Sequence, residues 1–310
     1  MDAPRPEDVR PFLRIGTHLA GLGLSVPAII AADPENGLVI EEDLGDGLFS
    51  AILGGIVTLA GSPSSPDRPG LGEADAAVSP ATQSLLTAAV DALVIIQRAA
   101  PPKGLPVWDG SEMTETALGT FCDWWWPAMH GRPAPDAVRV ETAAALASML
   151  TSFDHGPRGM VHRDFFAGNL LWLPGRKGVR RAGVIDFQSA AIGHPAYDLV
   201  SLLQDARQDI PTAWADFAIC HYLDARPELD PAAFRLAYAA YAAQRHLRVA
   251  CQWVRLAKRD NRPRYLAYGP RTWRLLTCAL AQKGAAPLAD VLNRFVPEED
   301  RRNPPGLTTT

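Results

Sequence analysis

The run His162-Arg163-Asp164-Phe165-Phe166-Ala167-Gly168-Asn169 constrains this chain more than any other segment. It follows the apolar Met160-Val161 and precedes Leu170-Leu171-Trp172-Leu173, a pattern that predicts strand, polar loop, strand. A basic turn, Gly175 to Gly178, leads into a further apolar strand, Ala182-Gly183-Val184-Ile185, which ends at Asp186-Phe187-Gln188. One acidic residue, an amide five positions on and a second acidic residue 17 positions beyond the amide are thereby carried on adjacent hairpin elements. Set among segments of helical period, this element makes the chain α+β.

The run fits H-R-D-x-x-x-x-N, and Asp186-Phe187-Gln188 stands where an Asp-Phe-Gly-like element belongs. The spacing has a chemical reason. Phosphoryl transfer asks little covalent help of a protein; it needs a hydroxyl held in line with the γ-phosphate and magnesium to neutralise the developing charge. Asp164 is the candidate catalytic residue, accepting and orienting the hydroxyl proton. Orientation can outweigh basicity, so its pKa need not be raised. Asn169, through its carbonyl oxygen, and Asp186, through a carboxylate oxygen, are the candidate metal ligands. His162 is read as bracing the loop by hydrogen bonds. Asp198, in Ala196-Tyr197-Asp198-Leu199, opens a helix whose exposed N–H groups a carboxylate can cap, and it too is read as structural support.

Elsewhere the pattern is mainly helical. Residues 7 to 22 read as a helix ended by Gly21 and Gly23, followed by a hairpin with its turn at Pro34-Glu35-Asn36-Gly37. Leu38-Val39-Ile40 opens into the acidic Glu41-Glu42-Asp43-Leu44-Gly45-Asp46. Residues 54 to 80, rich in Gly, Ser and Pro, predict a flexible insertion. Helices are expected over about 81 to 99, 112 to 129 and 139 to 153, and over most of the chain from Tyr197 to Leu292. The Pro-rich, charged tail from Pro297 is expected to fray.

A length of 310 residues with 47% hydrophobic and 21% charged residues is that of a globular protein rather than a disordered one. The net charge of −4 argues against a protein devoted to holding nucleic acid. No run of about 18 uncharged apolar residues and no secretory start is present, so no membrane partner is expected. Four scattered cysteines without Cys-x-x-Cys spacing suit a reduced cytoplasm.

Met160-Val161-His162-Arg163-Asp164, Val184-Ile185-Asp186-Phe187-Gln188 and Tyr197-Asp198-Leu199-Val200-Ser201-Leu202-Leu203 together resemble the aminoglycoside phosphotransferase superfamily. Further stretches are similar to its bacterial cell-wall sugar kinases, which act on the anomeric hydroxyl of N-acetylmuramate and N-acetylglucosamine. These are Met1-Asp2-Ala3-Pro4, Val26-Pro27-Ala28-Ile29, Glu42-Asp43-Leu44-Gly45-Asp46, Gln244-Arg245-His246-Leu247 and Arg262-Pro263-Arg264-Tyr265-Leu266. The resemblance implies a protein-kinase-like fold of two lobes, ATP and Mg2+ as cofactors, and a small-molecule substrate. It places a remnant of the nucleotide-binding lobe and hinge in 1–45, a mainly helical catalytic and substrate lobe in 46–296 and the tail in 297–310. Leu38 to Leu44 would be the hinge, so Glu41, Glu42, Asp43 and Leu44 become cofactor-binding candidates through their backbone, while their side chains suit a solvated turn.

The family carries a phosphate-covering strand–loop–strand ahead of the segment matched by Met1-Asp2-Ala3-Pro4. Here no glycine-rich phosphate loop is present and no lysine precedes the first helix. The N-terminal lobe is therefore expected to be truncated, with the start lying upstream or the gene shortened.

Residues 241 to 275 contain Arg245, Arg248, Arg255, Lys258, Arg259, Arg262, Arg264, Arg271 and Arg274 against a single Asp260. A basic wall suits an anionic sugar better than a polycation. Most of these side chains read as a solvated helix face; Arg245 is the substrate candidate because it lies in a matched motif. Trp124 can stack on a sugar ring or pack in the core, as can Trp108, Trp125 and Trp126. Asp109 can hydrogen-bond sugar hydroxyls. Two alternatives stand beside amino-sugar phosphorylation: a kinase for another metabolite or an aminoglycoside, and a truncated, non-catalytic pseudokinase that binds sugar or a partner.

Overall fold

A computed structural model describes residues 8–59 and 77–309. In chain order its helices and strands are α1 (Arg10–Gly21), β1 (Ile29–Asp33), β2 (Leu38–Glu41), α2 (Phe49–Leu59), α3 (Pro80–Arg98), β3 (Val107–Trp108), α4 (Gly110–Thr120), α5 (Trp126–His130) and α6 (Asp136–Thr151). There follow β4 (Gly159–Val161), β5 (Leu170–Trp172), β6 (Ala182–Val184), β7 (Ala191–Gly193), α7 (Ala196–Leu203), α8 (Thr212–Asp224), α9 (Pro231–Arg259), α10 (Gly269–Leu280) and α11 (Ala286–Phe295). The chain is thus α+β, with the two-stranded sheets β1-β2 and β5-β6 and the three-stranded sheet β3-β7-β4 among many helices, and it divides into two compact units. One comprises the described part of Met1–Val107 together with Pro157–Leu229; the other comprises Trp108–Gly156 and Asp230 onward.

In the first unit α1 turns Phe12, Ile15, Gly16 and Leu19 inward. The Phe12 ring stacks on Phe187 at 4.8 Å, and Gly16 leaves the space Phe187 needs, since a Cβ there would stand 3.1 Å from the Phe187 ring. Phe187 is fully buried, so the residue immediately after Asp186 is pinned by apolar packing of about 2–3 kcal/mol. The hairpin β1–β2 closes at the expected turn, where Asp33 accepts from the Asn36 backbone and side chain and Gly37 takes φ 71°.

Helix α3 begins at Ser79, whose hydroxyl accepts from Thr82 N–H, with Pro80 at the first helical position. It is long and apolar enough to cross a bilayer, but most of it is buried within the protein. Leu85, Leu86, Ala89, Val90, Leu93 and Ile96 are closed off from solvent, and Asp91 pairs with His221 of α8 at 2.7 Å. It is the core helix of its unit.

The expected insertion over 54 to 80 needs correction at its start. Gly54 and Gly55 lie inside α2, because Phe49 and Leu53 are buried and Phe49 meets the Trp172 ring edge-on at 5.9 Å. Tertiary packing overrides the poor helix propensity of paired glycines. Residues 60–76 of that insertion, and the Met1-Asp2-Ala3-Pro4 stretch, lie outside the described residues.

In the second unit Asp109 caps α4 and Asp230 caps α9. The helix expected over 112 to 129 is interrupted by a π-turn at Phe121–Trp125, which carries Trp125 onto Trp273 at 5.2 Å and Phe121 at 5.5 Å. The tail is not frayed, contrary to expectation. Trp125 Nε1 donates to the Arg302 carbonyl at 3.0 Å, Asn303 Nδ2 to the Leu266 carbonyl at 2.7 Å, and Arg301 to Asn293 at 2.5 Å. A buried indole N–H needs a partner, and the tail backbone supplies it.

Candidate active site

The site is assembled in the first unit by two antiparallel ladders. In β5–β6 the register pairs Leu170 with Val184, Leu171 with Gly183 and Trp172 with Ala182. One residue beyond that ladder, the Ile185 N–H donates to the Asn169 carbonyl at 3.1 Å. The register therefore leaves Asn169 and Asp186 at the same open end. In β4–β7, Met160 pairs with Ile192 and Val161 with Ala191, and β4 delivers the chain into the His162 loop.

At that end Asn169 Nδ2 donates to Asp186 Oδ2 at 3.0 Å and to the Asp164 main-chain carbonyl at 2.9 Å. Gln188 Nε2 donates to the other Asp186 oxygen at 2.8 Å. The amide nitrogen of Asn169 is thus fully used, and its oxygen has no hydrogen-bond partner among the described residues. Asp186 is exposed and Asp164 half-exposed, so both carboxylates open to solvent, while Asn169 is 8% exposed.

Two backbone conformations mark the same place. Arg163 and Asp186 adopt φ 75° and 61°, a left-handed conformation that costs about 1–2 kcal/mol for a side chain other than glycine. Each is held by its neighbours. The Arg163 N–H donates to Asp198 Oδ1 at 2.9 Å and the His162 N–H to Asp198 Oδ2 at 2.6 Å. The His162 ring braces the loop, with Nε2 3.0 Å from the Ile185 carbonyl and Nδ1 accepting from the Asp164 N–H at 3.3 Å.

Asp198 lies in the first turn of α7, as expected, but it does not cap that helix. Both its oxygens are directed 35 and 36 residues back to the Arg163 and His162 amides. It is fully buried, and burial pushes its carboxyl up to about 6, against the lowering influence of His162 and of the two N–H donors.

Of the hinge candidates, Glu41 closes β2, Glu42 and Asp43 follow it, and the Leu44 side chain lies over Gly183 of β6. Glu42 accepts from the Ala28 N–H at 3.2 Å and pairs with Arg176 at 2.8 Å, and Asp43 accepts from the Gly45 N–H at 2.7 Å. These side chains tie loops together. Asp109, Trp124 and Arg245 belong to the second unit. Asp109 Oδ1 accepts from Ser111 and Glu112 N–H, Trp124 is half-buried, and Arg245 is 2% exposed within α9 rather than on a solvated face. The next residue, His246, is buried with its pKa pushed down to about 3 by burial and by the Arg245 charge. Lys258, Arg259, Arg262, Arg264 and Arg274 are exposed.

Gln188 was not among the sequence candidates. Its position after Asp-Phe, where the motif carries glycine, was the signal available.

Among the described residues no group of three or more His, Cys, Asp or Glu forms a metal-holding cluster. A donor set of one Asp186 carboxylate and the Asn169 amide oxygen does suit magnesium, which prefers hard oxygen donors and keeps several waters.

Residues 1–232 match the phosphotransferase enzyme family. The N-acetylmuramate/N-acetylglucosamine kinase of Caulobacter vibrioides is 35% identical over 300 residues, covering 94% of this chain and 76% of the relative. The Pseudomonas aeruginosa protein of the same name is 31% identical over 292 residues, covering 91% and 77%. Among solved structures, a choline/ethanolamine kinase family protein from Mesorhizobium loti superposes with a TM-score of 0.57 at 14% identity, over 91% of this chain and 82% of that one. The GDP complex of aminoglycoside 2'-phosphotransferase-IIIa gives 0.54 at 17% identity, over 88% and 81%. These two likenesses establish the fold.

Proposed function

Since the chain belongs to the phosphotransferase enzyme family, we propose that it is a kinase that transfers the γ-phosphate of ATP to the anomeric hydroxyl of N-acetylmuramate or N-acetylglucosamine. The observation that carries the site assignment is the single amide of Asn169 joining the Asp164 turn to the Asp186 carboxylate.

In this reading Asp164 orients the acceptor hydroxyl and takes its proton as the oxygen attacks phosphorus. Asn169 and Asp186 would hold magnesium, which when bound would neutralise charge on the phosphates. Asp198 and His162 keep the loop rigid, so that the carboxylate meets the hydroxyl without a reorganisation cost. The backbone of Glu41 to Leu44 is assigned to the nucleotide base. An ATP-consuming reaction on these sugars suits the cytoplasm and the recovery of cell-wall amino sugars.

The test is a coupled ADP-release assay with N-acetylmuramate, N-acetylglucosamine and kanamycin as acceptors. Sugar-dependent turnover that falls about 10²–10⁴-fold in Asp164→Ala is expected. No sugar-dependent turnover, faster turnover of the polycation, or indifference to Asp164→Ala would each defeat the proposal.

A further inference from the structure

Behind the catalytic loop, in the same unit, lies a buried polar chain that the chemistry above does not use. Gln97, at the end of α3, is 5% exposed, Tyr222 of α8 is 0% and Arg226 is 5%. The Tyr222 hydroxyl donates to Gln97 Oε1 at 2.6 Å, and Arg226 Nη1 donates to the Tyr222 oxygen at 3.0 Å and to Gln97 Oε1 at 3.4 Å. Glu228 balances the guanidinium through Nε at 2.5 Å. Burial raises the Tyr222 pKa, so the phenol stays neutral and keeps its donor proton.

Gln97 is the end of this chain that meets the loop's supports. Its Nε2 donates to the Pro195 carbonyl at 3.0 Å. Pro195 is the residue before α7, three positions ahead of Asp198. The main-chain carbonyl of Gln97, in turn, lies so close to Gly159 of β4 that a Cβ there would stand 2.6 Å from it. One residue therefore touches both the strand that feeds the His162 loop and the start of the helix whose carboxylate clamps it. Buried polar groups are costly unless fully satisfied, and a network of this kind fixes one arrangement of the elements it joins.

We infer that Gln97 and Tyr222 are positioning residues of the phosphotransfer site: they fix the start of α7 against β4, so that Asp198 holds the His162 and Arg163 amides and sets the direction of Asp164. Only the kinetic consequence rests on the proposed function; the structural one does not. The test uses the full chain with Gln97→Glu, which keeps shape and acceptor but cannot donate to Pro195, and with Tyr222→Phe. Hydrogen exchange at the His162 and Arg163 amides should quicken about tenfold, the equivalent of one hydrogen bond, while exchange in β5–β6 at Leu171 and Gly183 stays within about twofold. With sugar and ATP, kcat should fall about tenfold with both KM values within about twofold, as for a group acting on orientation alone. Unchanged exchange at His162 and Arg163, or equal acceleration in β5–β6, would overturn the inference. A wild-type chain without turnover would defeat the phosphotransfer reading and leave the exchange measurement to decide this one.

Discussion

The side-chain amide of Asn169 stands 3.0 Å from the Asp186 carboxylate and donates to it, although 17 residues separate them. The contact makes a specific variant informative. Asn169→Asp replaces the donor with a second negative charge at hydrogen-bond distance, and two carboxylates so close resist ionising together. Without divalent cation the variant should lose about 1 kcal/mol of stability, the net contribution of a typical hydrogen bond. Magnesium should recover part of that loss, because a cation held by both groups removes the repulsion. Urea melts with and without MgCl2 measure both effects, and a variant blind to magnesium would remove Asn169 and Asp186 from the metal site.

The docked tail makes a second prediction. Trp125 is fully buried and its indole N–H is satisfied by the Arg302 carbonyl. A chain ending at Val296 strands that donor, along with the Leu266 carbonyl that Asn303 occupies. Its urea midpoint should drop by an amount equivalent to about 1–3 kcal/mol. A frayed tail would leave the midpoint where it was.

What the sequence disclosed and what it concealed divide along sequence separation. The convergence of the His162-to-Asn169 run with Asp186 was readable because the strands around them carry short-range apolar signals and the spacing sets the two segments on adjacent hairpin elements. The partner of Asp198 was not readable. A carboxylate in the first turn of a helix has a local use as a cap, and nothing local says that both oxygens reach back 35 and 36 residues. Gln97 and Tyr222, 125 residues apart, were invisible for the same reason. Paired glycines in α2 and prolines in the tail misled because their local preferences yield to burial of Phe49 and Trp125.

Glu42 offers a prediction of small effect. Its carboxylate joins the Ala28 N–H to Arg176, with side-chain exposures of 36% and 29% for the ion pair. A half-exposed pair of this kind contributes about 1 kcal/mol or less. Glu42→Gln should therefore move the thermal midpoint by no more than a few degrees and leave the KM for ATP within about twofold, since the nucleotide contact is assigned to backbone. A large rise in that KM would assign the side chain itself to the nucleotide.

Asp198 carries the pH dependence. Its carboxyl is pushed up to about 6 in the folded chain, from an ordinary value of 3.8, chiefly by burial. Between those two values the folded chain keeps a proton that the unfolded chain has released. The stability contributed by this group is therefore complete below the unfolded value and is lost as pH rises through the folded one. Asp198→Asn removes the titration. It also sets an amide donor against one of the two loop N–H groups, which should cost about 1–3 kcal/mol at every pH. Other titrating groups cancel when the two proteins are compared at the same pH. Urea melts from about pH 4 to about pH 7 should show the wild type losing its advantage over the variant as pH rises, by on the order of 1–3 kcal/mol. A constant difference across that range would mean that Asp198 stays ionised throughout, its two backbone donors outweighing burial.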